Sequence, residues 1–255
     1  MYSRLINNPF SFSAKENKNK NAKYGKNYLI SLIFSLKGVS QLERQKESSF
    51  LFKRKLVGTN FKGEWKSKEV KRVKEQLLIE HCSLTLANLK AGNLFRYFLE
   101  SQEEIDEYLN YWNGQMNKKG VYLTIVKQCE ETALIYVYRK SSLMQVLERE
   151  EIQNFLKRYG YEDFSIEGCI THLRKQFQRN CTFPHEIGVF LEYPLEDIVG
   201  FIENEGRNYK CVGCWKVYGD EKNAEKLFTK FKKCQCIYRQ QYLSGRDIMK
   251  LTVAA

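Results

Sequence analysis

The stretch that decides the fold is Val121-Tyr-Leu-Thr-Ile-Val-Lys127, which is followed after a short polar segment by Thr132-Ala-Leu-Ile-Tyr-Val-Tyr-Arg139. Both runs are rich in β-branched and aromatic residues, which favour strands. Residues 128–131 between them are polar, and they are few enough to form a turn. The two runs therefore predict a β-hairpin, and the composition of residues 94–99 predicts a further strand.

Apolar residues recur at helical spacing on both sides of this hairpin. The residues expected to begin helices are Ser67, Ser101, Ser142, Pro194, Ser165 and Asp220. We also expect Ser83 to cap a short helix that ends at Gly92, and residues 209–218 to form one strand. A few strands mixed irregularly with many helices predict an α+β domain, in which several helices pack on a small, mainly antiparallel sheet.

The charge of the chain is unevenly distributed. Residues 1–75 contain 18 Lys and Arg against 6 Asp and Glu, whereas residues 76–255 contain 24 of each, so the first part carries the whole net charge of +12. A basic balance commonly marks nucleic-acid or anionic-membrane binding. This distribution of charge predicts polyanion binding for the N-terminal segment alone. It argues against nucleic acid as a partner of residues 76–255, which are neutral.

The same boundary separates two kinds of sequence. Residues 1–66 lack sustained periodicity and are rich in Lys and Asn, so we expect a disordered extension. Residues 67–255 have the length and apolar content of a single globular domain. A second interpretation of the extension is translated upstream DNA, because its residue types are those that AT-rich codons encode. Under that interpretation synthesis begins near Val70 or Val73.

We expect a cytoplasmic protein without a membrane span. No segment has the roughly 20 consecutive apolar residues of a spanning helix. The nearest, residues 28–36, has a long polar lead-in and no signal-peptide cleavage site after it. The 8 cysteines are therefore expected to be reduced thiols or ligands rather than disulfides.

The pair Cys211-Val-Gly-Cys214 has the spacing of a zinc ligand or thiol-exchange pair. On a straight strand the two sulfurs would point to opposite sides, unless Gly213 supplies a turn or bulge. A second pair, Cys234-Gln-Cys236, lies in a predicted helix, where its side chains diverge. A four-cysteine zinc site is therefore poorly supported, and small core residues are the alternative interpretation of Cys211 and Cys234.

Three stretches together resemble a known family: His81-Cys-Ser-Leu-Thr-Leu-Ala-Asn-Leu-Lys-Ala-Gly-Asn-Leu-Phe95, residues 183–204, and Cys211-x-x-x-Trp-Lys-Val-Tyr-Gly-Asp220. They are similar to the bacterial domain-of-unknown-function family numbered 3793, over about residues 75–253. The chain departs from the family pattern at Leu84, where the family has Pro. It also departs at Cys214, where the family has an aromatic residue, which puts a role for Cys214 in doubt.

The resemblance implies a domain that begins a few residues before His81-Cys82. The change in charge between residues 75 and 76 indicates the same starting point. The resemblance further implies an association with flavodoxin and iron-uptake genes, and hence a partner in redox or iron metabolism. It implies no reaction, so any site must be argued from the residues themselves.

Four residues have the chemistry of a mixed metal site, namely His81, Cys82, His185 and Cys211. Imidazole and thiolate ligands suit zinc or iron. Glu186, Trp215 and Cys234 are the other candidate site residues. The competing interpretation is structural, because His81 lies on an apolar helical face, His185 and Glu186 can cap the following element, and an aromatic side chain such as Trp215 usually packs in a core.

The sequence thus favours a metal- or cofactor-binding accessory protein in iron or redox metabolism over an evident enzyme. One alternative is a cysteine-dependent enzyme that uses Cys82 as nucleophile and His185 as base, since such partners meet in space rather than in sequence. A third interpretation is polyanion binding through the N-terminal segment. Gly-rich dinucleotide fingerprints and Ser-centred nucleophile motifs are absent from the sequence.

Overall fold

A computed structural model of the chain describes residues 68–179 and 183–254. The expected disordered extension over residues 1–66 and the expected cap at Ser67 lie outside the described residues. The division into an extension and a domain therefore stays a prediction. None of the described helices is long and apolar enough to cross a membrane.

The secondary structure alternates a few strands with many helices. The helices are α1 (Lys68–Leu86), α2 (Gln102–Met116), α3 (Lys140–Leu147), α4 (Glu150–Lys157), α5 (Ile166–Arg179), α6 (Ile187–Phe190), α7 (Leu195–Glu203), α8 (Glu221–Leu243) and α9 (Ile248–Leu251). The strands are β1 (Gly92–Phe98), β2 (Val121–Cys129), β3 (Thr132–Arg139), β4 (Cys211–Val212) and β5 (Lys216–Val217). A short 3₁₀ helix, Asn117–Lys119, precedes β2.

The main sheet has three strands in the order β1-β3-β2, and both pairings are antiparallel. The predicted hairpin is confirmed as β2 and β3, and the predicted strand at 94–99 is confirmed as β1. In the hairpin Val121 lies opposite Arg139, and the register shifts between Ile125 and Lys127. The central strand β3 is therefore paired along both of its edges.

Helices cover both faces of this sheet, because alternate side chains of a strand point to opposite faces. Ile135 and Val137 of β3 lie in an apolar cluster with α1, α2 and α9. Leu134 and Tyr136 lie in a second cluster with α3 to α7. The predicted α+β class, with helices packed on a small antiparallel sheet, is confirmed.

Side-chain caps begin three of the helices where the sequence predicts them. Ser101 accepts a hydrogen bond from the backbone N–H of Glu104, and Ser165 accepts one from that of Gly168. Asp220 accepts one from Asn223 at the start of α8. These caps satisfy backbone donors that have no partner within the helix.

Two other caps were predicted wrongly. Helix α1 continues through Ser83 to Leu86, because Cys82 and Leu86 extend its apolar face against the sheet. The packing of that face overrides the local preference of serine for a helix end. Helix α3 begins at Lys140, directly after β3, rather than at Ser142.

The single strand expected over residues 209–218 is also wrong, because these residues form the two-stranded hairpin β4-β5. Its turn is closed by a hydrogen bond from the N–H of Gly213 to the carbonyl of Trp215, with an N–O distance of 3.0 Å. The hairpin packs on α8 in a third apolar cluster, where Trp215 contacts Phe228 and Phe231. This cluster stabilises the turn between β4 and β5, which the pattern of residues 209–218 does not reveal.

A buried arginine joins the ends of several elements. The Arg139 side chain is fully buried and donates to the carbonyl of Thr85 at 2.5 Å, to that of Leu86 at 2.8 Å and to that of Val253 at 2.7 Å. The first two carbonyls belong to the last turn of α1, where carbonyls lack the usual i+4 partner within the helix and a cation is favoured. Each also accepts one backbone N–H, from Asn88 and Val253 respectively. Arg139 therefore fixes the end of the helix from which the loop to β1 departs.

Candidate functional site

The sequence-predicted histidine and cysteine at the end of α1 both contribute to packing. The imidazole of His81 is half-buried and stacks on Phe95, with 5.5 Å between ring centroids and 2° between planes. Cys82 is fully buried in the cluster between α1, α2 and the sheet.

His185 and Glu186 lie directly before α6, on the other side of the sheet. The ring of His185 contacts Phe201 edge-on at 5.2 Å, and burial lowers its pKa. Among the described residues its Nδ1 atom is buried and has no hydrogen-bond partner. The carboxyl group of Glu186 is buried within electrostatic reach of Tyr161, and burial raises its pKa.

The remaining predicted residues come together in the third cluster. Cys211 begins β4, Cys214 occupies the turn and Cys234 lies on α8, and all three thiols are partly buried against the cluster that contains Trp215. Burial raises the pKa of each thiol. None of the cysteines that the structure describes forms a disulfide.

The structure thus brings the hairpin cysteines and Trp215 together. Cys82 lies in another cluster, and the rings of His81 and His185 contact Phe95 and Phe201 instead. Within residues 68–179 and 183–254, no group of three or more His, Cys, Asp or Glu side chains is arranged to hold a metal ion. A zinc or iron site therefore remains a prediction from the sequence.

The most unusual ionisable group near this cluster is one that the sequence did not single out. Lys90 is buried, with 6% of its surface exposed, and its Nζ atom lies 4.6 Å from the centroid of the Tyr193 ring. Within the described part of the chain, its amine makes no hydrogen bond or ion pair. Burial lowers the pKa of Lys90 to about 8, although the nearby Cys214, Glu192 and Cys82 act in the opposite direction.

Two local features place Lys90 at this position. After α1 the chain reverses at Asn88, whose φ of 55° is in the left-handed region that asparagine tolerates well. The N–H of Ala91 then donates to a carboxylate oxygen of Glu192 at 2.6 Å. Lys90 is therefore held between a helix end and a long-range backbone anchor.

The beginning of β1 adds a third restraint. Gly92 leaves no room for a side chain, because a Cβ atom there would lie 2.5 Å from the Tyr136 hydroxyl oxygen and 2.7 Å from the Phe190 carbonyl oxygen. That hydroxyl donates to that carbonyl at 2.6 Å. The close approach fixes the backbone two residues after Lys90.

Aromatic side chains connect Lys90 to the third cluster. Tyr193 stacks on Trp215, with 4.9 Å between ring centroids and 30° between planes. The indole N–H of Trp215 donates to buried Asp197 at 2.7 Å, and the other oxygen of Asp197 accepts from the backbone N–H groups of Tyr218 and Gly219. Asp197 therefore fixes both the hairpin end and the indole against which Tyr193 rests.

The surroundings of the Lys90 amine combine buried and partly exposed side chains. Lys90 and Trp215 are buried, whereas Glu192, Tyr193 and Cys214 are each partly exposed. Since a pKa of about 8 leaves roughly a tenth of the amine neutral at pH 7, the group is suited to nucleophilic or acid–base chemistry.

Comparison with known proteins places this site within a family. The family model described as "Protein of unknown function (DUF3793)" matches residues 78–252, a range that contains Lys90, Glu192, Tyr193 and Trp215. Neither the curated proteins nor the solved structures provide a match to the chain. The chemistry of the site must therefore be inferred from its own residues.

Proposed function

Because this chain belongs to the DUF3793 family, we propose a function from its own geometry: the domain binds a small carbonyl compound through an imine at Lys90. The proposal gives a specific form to the cofactor- or ligand-binding role that the sequence favours. It moves the site from the predicted set around His81 and Cys82 to the Lys90–Tyr193–Trp215 group. A zinc or iron site, a role in iron or redox metabolism and a cytoplasmic location rest on the sequence alone.

The observation that carries this proposal is the buried amine without a polar partner in the described residues. A buried lysine is usually paired, because removing an ammonium group from water without compensation is unfavourable. Among the described residues, the ring of Tyr193 offsets part of this cost for Lys90, because the π face of the ring attracts a cation. Enzymes that use lysine as a nucleophile lower its pKa by similar desolvation.

The lowered pKa has a direct effect on reactivity. A change from 10.5 to about 8 raises the neutral fraction at pH 7 by roughly 300-fold, since each pKa unit is a factor of ten. The neutral nitrogen can attack a carbonyl carbon, forming the C–N bond as the carbonyl oxygen takes up a proton. Loss of water then leaves the imine, so that one carbonyl and one amine give one imine and one water.

Nearby acidic groups act on the charge of the imine. The Glu192 carboxylate and the Cys214 thiol lie within electrostatic reach of Lys90 and favour its cationic form. They therefore also favour the cationic, protonated imine over the neutral one. A protonated imine is a cation, so it keeps the favourable position beside Tyr193 that the ammonium group has.

Reductive trapping tests the proposal. The full chain is incubated with small aldehydes and ketones, reduced with borohydride, digested and mapped by mass spectrometry. We expect the reduced adduct to form preferentially on Lys90 and to disappear in Lys90→Met, while Lys233→Met, which removes an exposed lysine of α8, retains it. Adducts spread over surface lysines, with Lys90 unmodified, would contradict the proposal.

No described contact favours the cysteine-dependent alternative as a second function. Cys82 is fully buried in the cluster on one face of the sheet, whereas the His185 ring contacts Phe201 near α7. Their pairing stays a prediction from the sequence. Selective alkylation of Cys82 at neutral pH is the observation that would support it.

A further inference from the structure

The aromatic contacts that reach the Lys90 amine begin at a buried carboxylate. We propose that Asp197 is a positioning residue for the imine site: its hydrogen bond to the Trp215 indole holds the Tyr193 ring over the amine and keeps water from it. The inference rests on the proposed imine at Lys90, and it assigns control of that amine to a side chain of α7.

Each step of this connection is a direct contact. A carboxylate oxygen of Asp197 accepts a hydrogen bond from the indole N–H of Trp215, with an N–O distance of 2.7 Å. The indole stacks on the Tyr193 ring, with 4.9 Å between ring centroids. The centroid of the Tyr193 ring lies 4.6 Å from the Nζ atom of Lys90. A displacement of the indole is therefore passed to the ring that lies against the amine.

The orientation of the Tyr193 side chain depends on the indole. The backbone of Tyr193 is restrained independently, because its N–H donates to the Gly188 carbonyl at 2.9 Å. Its ring is partly exposed, so rotation about the side-chain bonds can carry the ring toward solvent. Stacking on Trp215 opposes that rotation. The indole is itself oriented by its hydrogen bond and by its edge contacts with Phe228 and Phe231.

Displacement of the ring should make the amine less reactive. The π face of Tyr193 attracts the ammonium group, yet burial still lowers the pKa of Lys90 to about 8. The ammonium group is therefore less well solvated beside the ring than in water. Water that enters when the ring moves favours the charged form, so the pKa of Lys90 rises. A rise of about 1 in this pKa makes the neutral fraction at pH 7 about tenfold smaller.

Asp197→Asn separates the indole contact from the other contacts of this side chain. One oxygen of Asp197 accepts from the backbone N–H groups of Tyr218 and Gly219, and only the carbonyl oxygen of asparagine can take that place. The NH₂ group of asparagine then faces the indole N–H, and two donors cannot form a hydrogen bond. Trp215→Phe removes the same hydrogen bond without changing a charge, and it retains an aromatic ring beside Tyr193.

Two measurements on the full chain test the inference. The rate at which propanal and cyanoborohydride label Lys90 is measured at pH 7, and the pKa of the Lys90 amine is measured by trace acetylation. We expect Asp197→Asn and Trp215→Phe each to slow labelling by about tenfold and to raise the pKa of Lys90. In the double variant the two effects should not add, because both substitutions remove one and the same contact.

Glu196→Gln is the matched control. Glu196 precedes Asp197 in α7 and accepts from the backbone N–H of Asp220 at 3.3 Å, directly after the hairpin, so its loss should change neither measurement. Wild-type values in Asp197→Asn or in Trp215→Phe, or an equal change in Glu196→Gln, would overturn the inference while the imine proposal stands. Failure of every carbonyl compound to label Lys90 would instead overturn the proposed function. The acetylation measurement needs no carbonyl compound, so it then still decides whether Asp197 controls the amine.

Discussion

At the scale of single residues, Lys90 is the group whose environment differs most from that of its type. Its ammonium group leaves water on folding and receives the Tyr193 ring in return, with no acceptor among the described residues. The two nearest cysteines and Glu192 favour the charged form, but burial has the larger effect. The stability of the domain should therefore depend on whether this amine is charged.

Lys90→Met is expected to raise the free energy of unfolding at neutral pH. The folded pKa of about 8 lies below the usual lysine pKa of about 10.5, so the unfolded chain binds more protons between these values and wild-type stability rises with pH there. Below pH 8 the charged amine costs about 3 kcal/mol, from the difference in pKa. The variant should gain up to that amount at pH 7 and lose the advantage as the pH rises above about 10.5.

Urea unfolding at several pH values measures this effect. Lys233→Met, at an exposed position of the same chemical type, provides the control and should show a difference from wild type that does not vary with pH. A constant difference for Lys90→Met across the same range would show that its amine titrates normally.

The sequence alone could not identify Lys90, because its environment is made by residues far along the chain. The carboxylate that anchors Ala91 is 101 residues away, and Trp215 lies beyond it. His81, Cys82 and His185 were candidates because their side chains can bind metals. The type of a side chain does not reveal whether it is buried or paired in the folded chain. One feature of the sequence could have indicated Lys90: it is the single charged residue of the mostly apolar stretch from Leu89 to Phe95.

At the scale of elements, Asp197 connects the start of α7 to the β4-β5 hairpin. Asp197→Ala removes the acceptor of three buried or partly buried donors, and we expect a loss of about 3 kcal/mol from their unmade hydrogen bonds. Urea unfolding and the tryptophan emission maximum report the change, and a red shift is expected as the indole of Trp215, one of 3 tryptophans in the chain, gains solvent. Asp197→Asn, which can still accept from Tyr218 and Gly219, should lose less.

The outcome that contradicts this account of Asp197 is an alanine variant with wild-type stability and emission. The sequence did not indicate this role of Asp197. Pro194 predicted only that a helix begins here, which says nothing about a distant indole.

Arg139 gives a second prediction for the elements. Arg139→Lys keeps the charge, but one ammonium group cannot reproduce the fork of donors that reaches Thr85, Leu86 and Val253. We expect a loss of about 1–3 kcal/mol, because buried hydrogen bonds to a charged group are lost, although the Thr85 and Leu86 carbonyls keep a backbone donor each. Hydrogen exchange of the amide of Val253, which donates to the Leu86 carbonyl, should also become faster. Unchanged exchange there would show that Arg139 does not hold the C-terminal segment.

The elements themselves were largely predictable, and their boundaries less so. The hairpin, the strand before it and the caps at Ser101, Ser165 and Asp220 follow from local preferences, which the tertiary structure retains. The helix end near Ser83 and the strand over residues 209–218 were wrong because packing decides them. In the first case an apolar face extends the helix, and in the second α8 supports a turn.

At the scale of the whole molecule, β3 is shared by both main clusters of the core. It pairs with β1 and β2 along its full length, and its side chains enter the clusters on both faces of the sheet. The α+β class was predictable because the number and order of helices and strands are enough to assign it. The path by which α6, α7 and the β4-β5 hairpin return to Lys90 was not, since it depends on long-range packing.

Hydrogen exchange should show β3 as the most protected segment. Its amides bond alternately to β1 and β2 and lie between both clusters, so their exchange requires an opening of the centre of the domain that approaches the global free energy of unfolding. The two-residue strands β4 and β5 should exchange sooner, since their pairing is short. Faster exchange in β3 than in β4-β5 would show that the sheet is not the stable centre of the domain.

The measurement that tests the central claim most directly is the pKa of the Lys90 amine in the folded protein. Trace acetylation at a series of pH values, resolved by peptide mass spectrometry, gives this value for each lysine in one experiment. We predict a midpoint at about 8 for Lys90 and a clearly higher midpoint for Lys233, which is exposed on α8. A midpoint near 10.5 for Lys90 would contradict the account, because a fully charged amine cannot provide the proposed nucleophile at neutral pH.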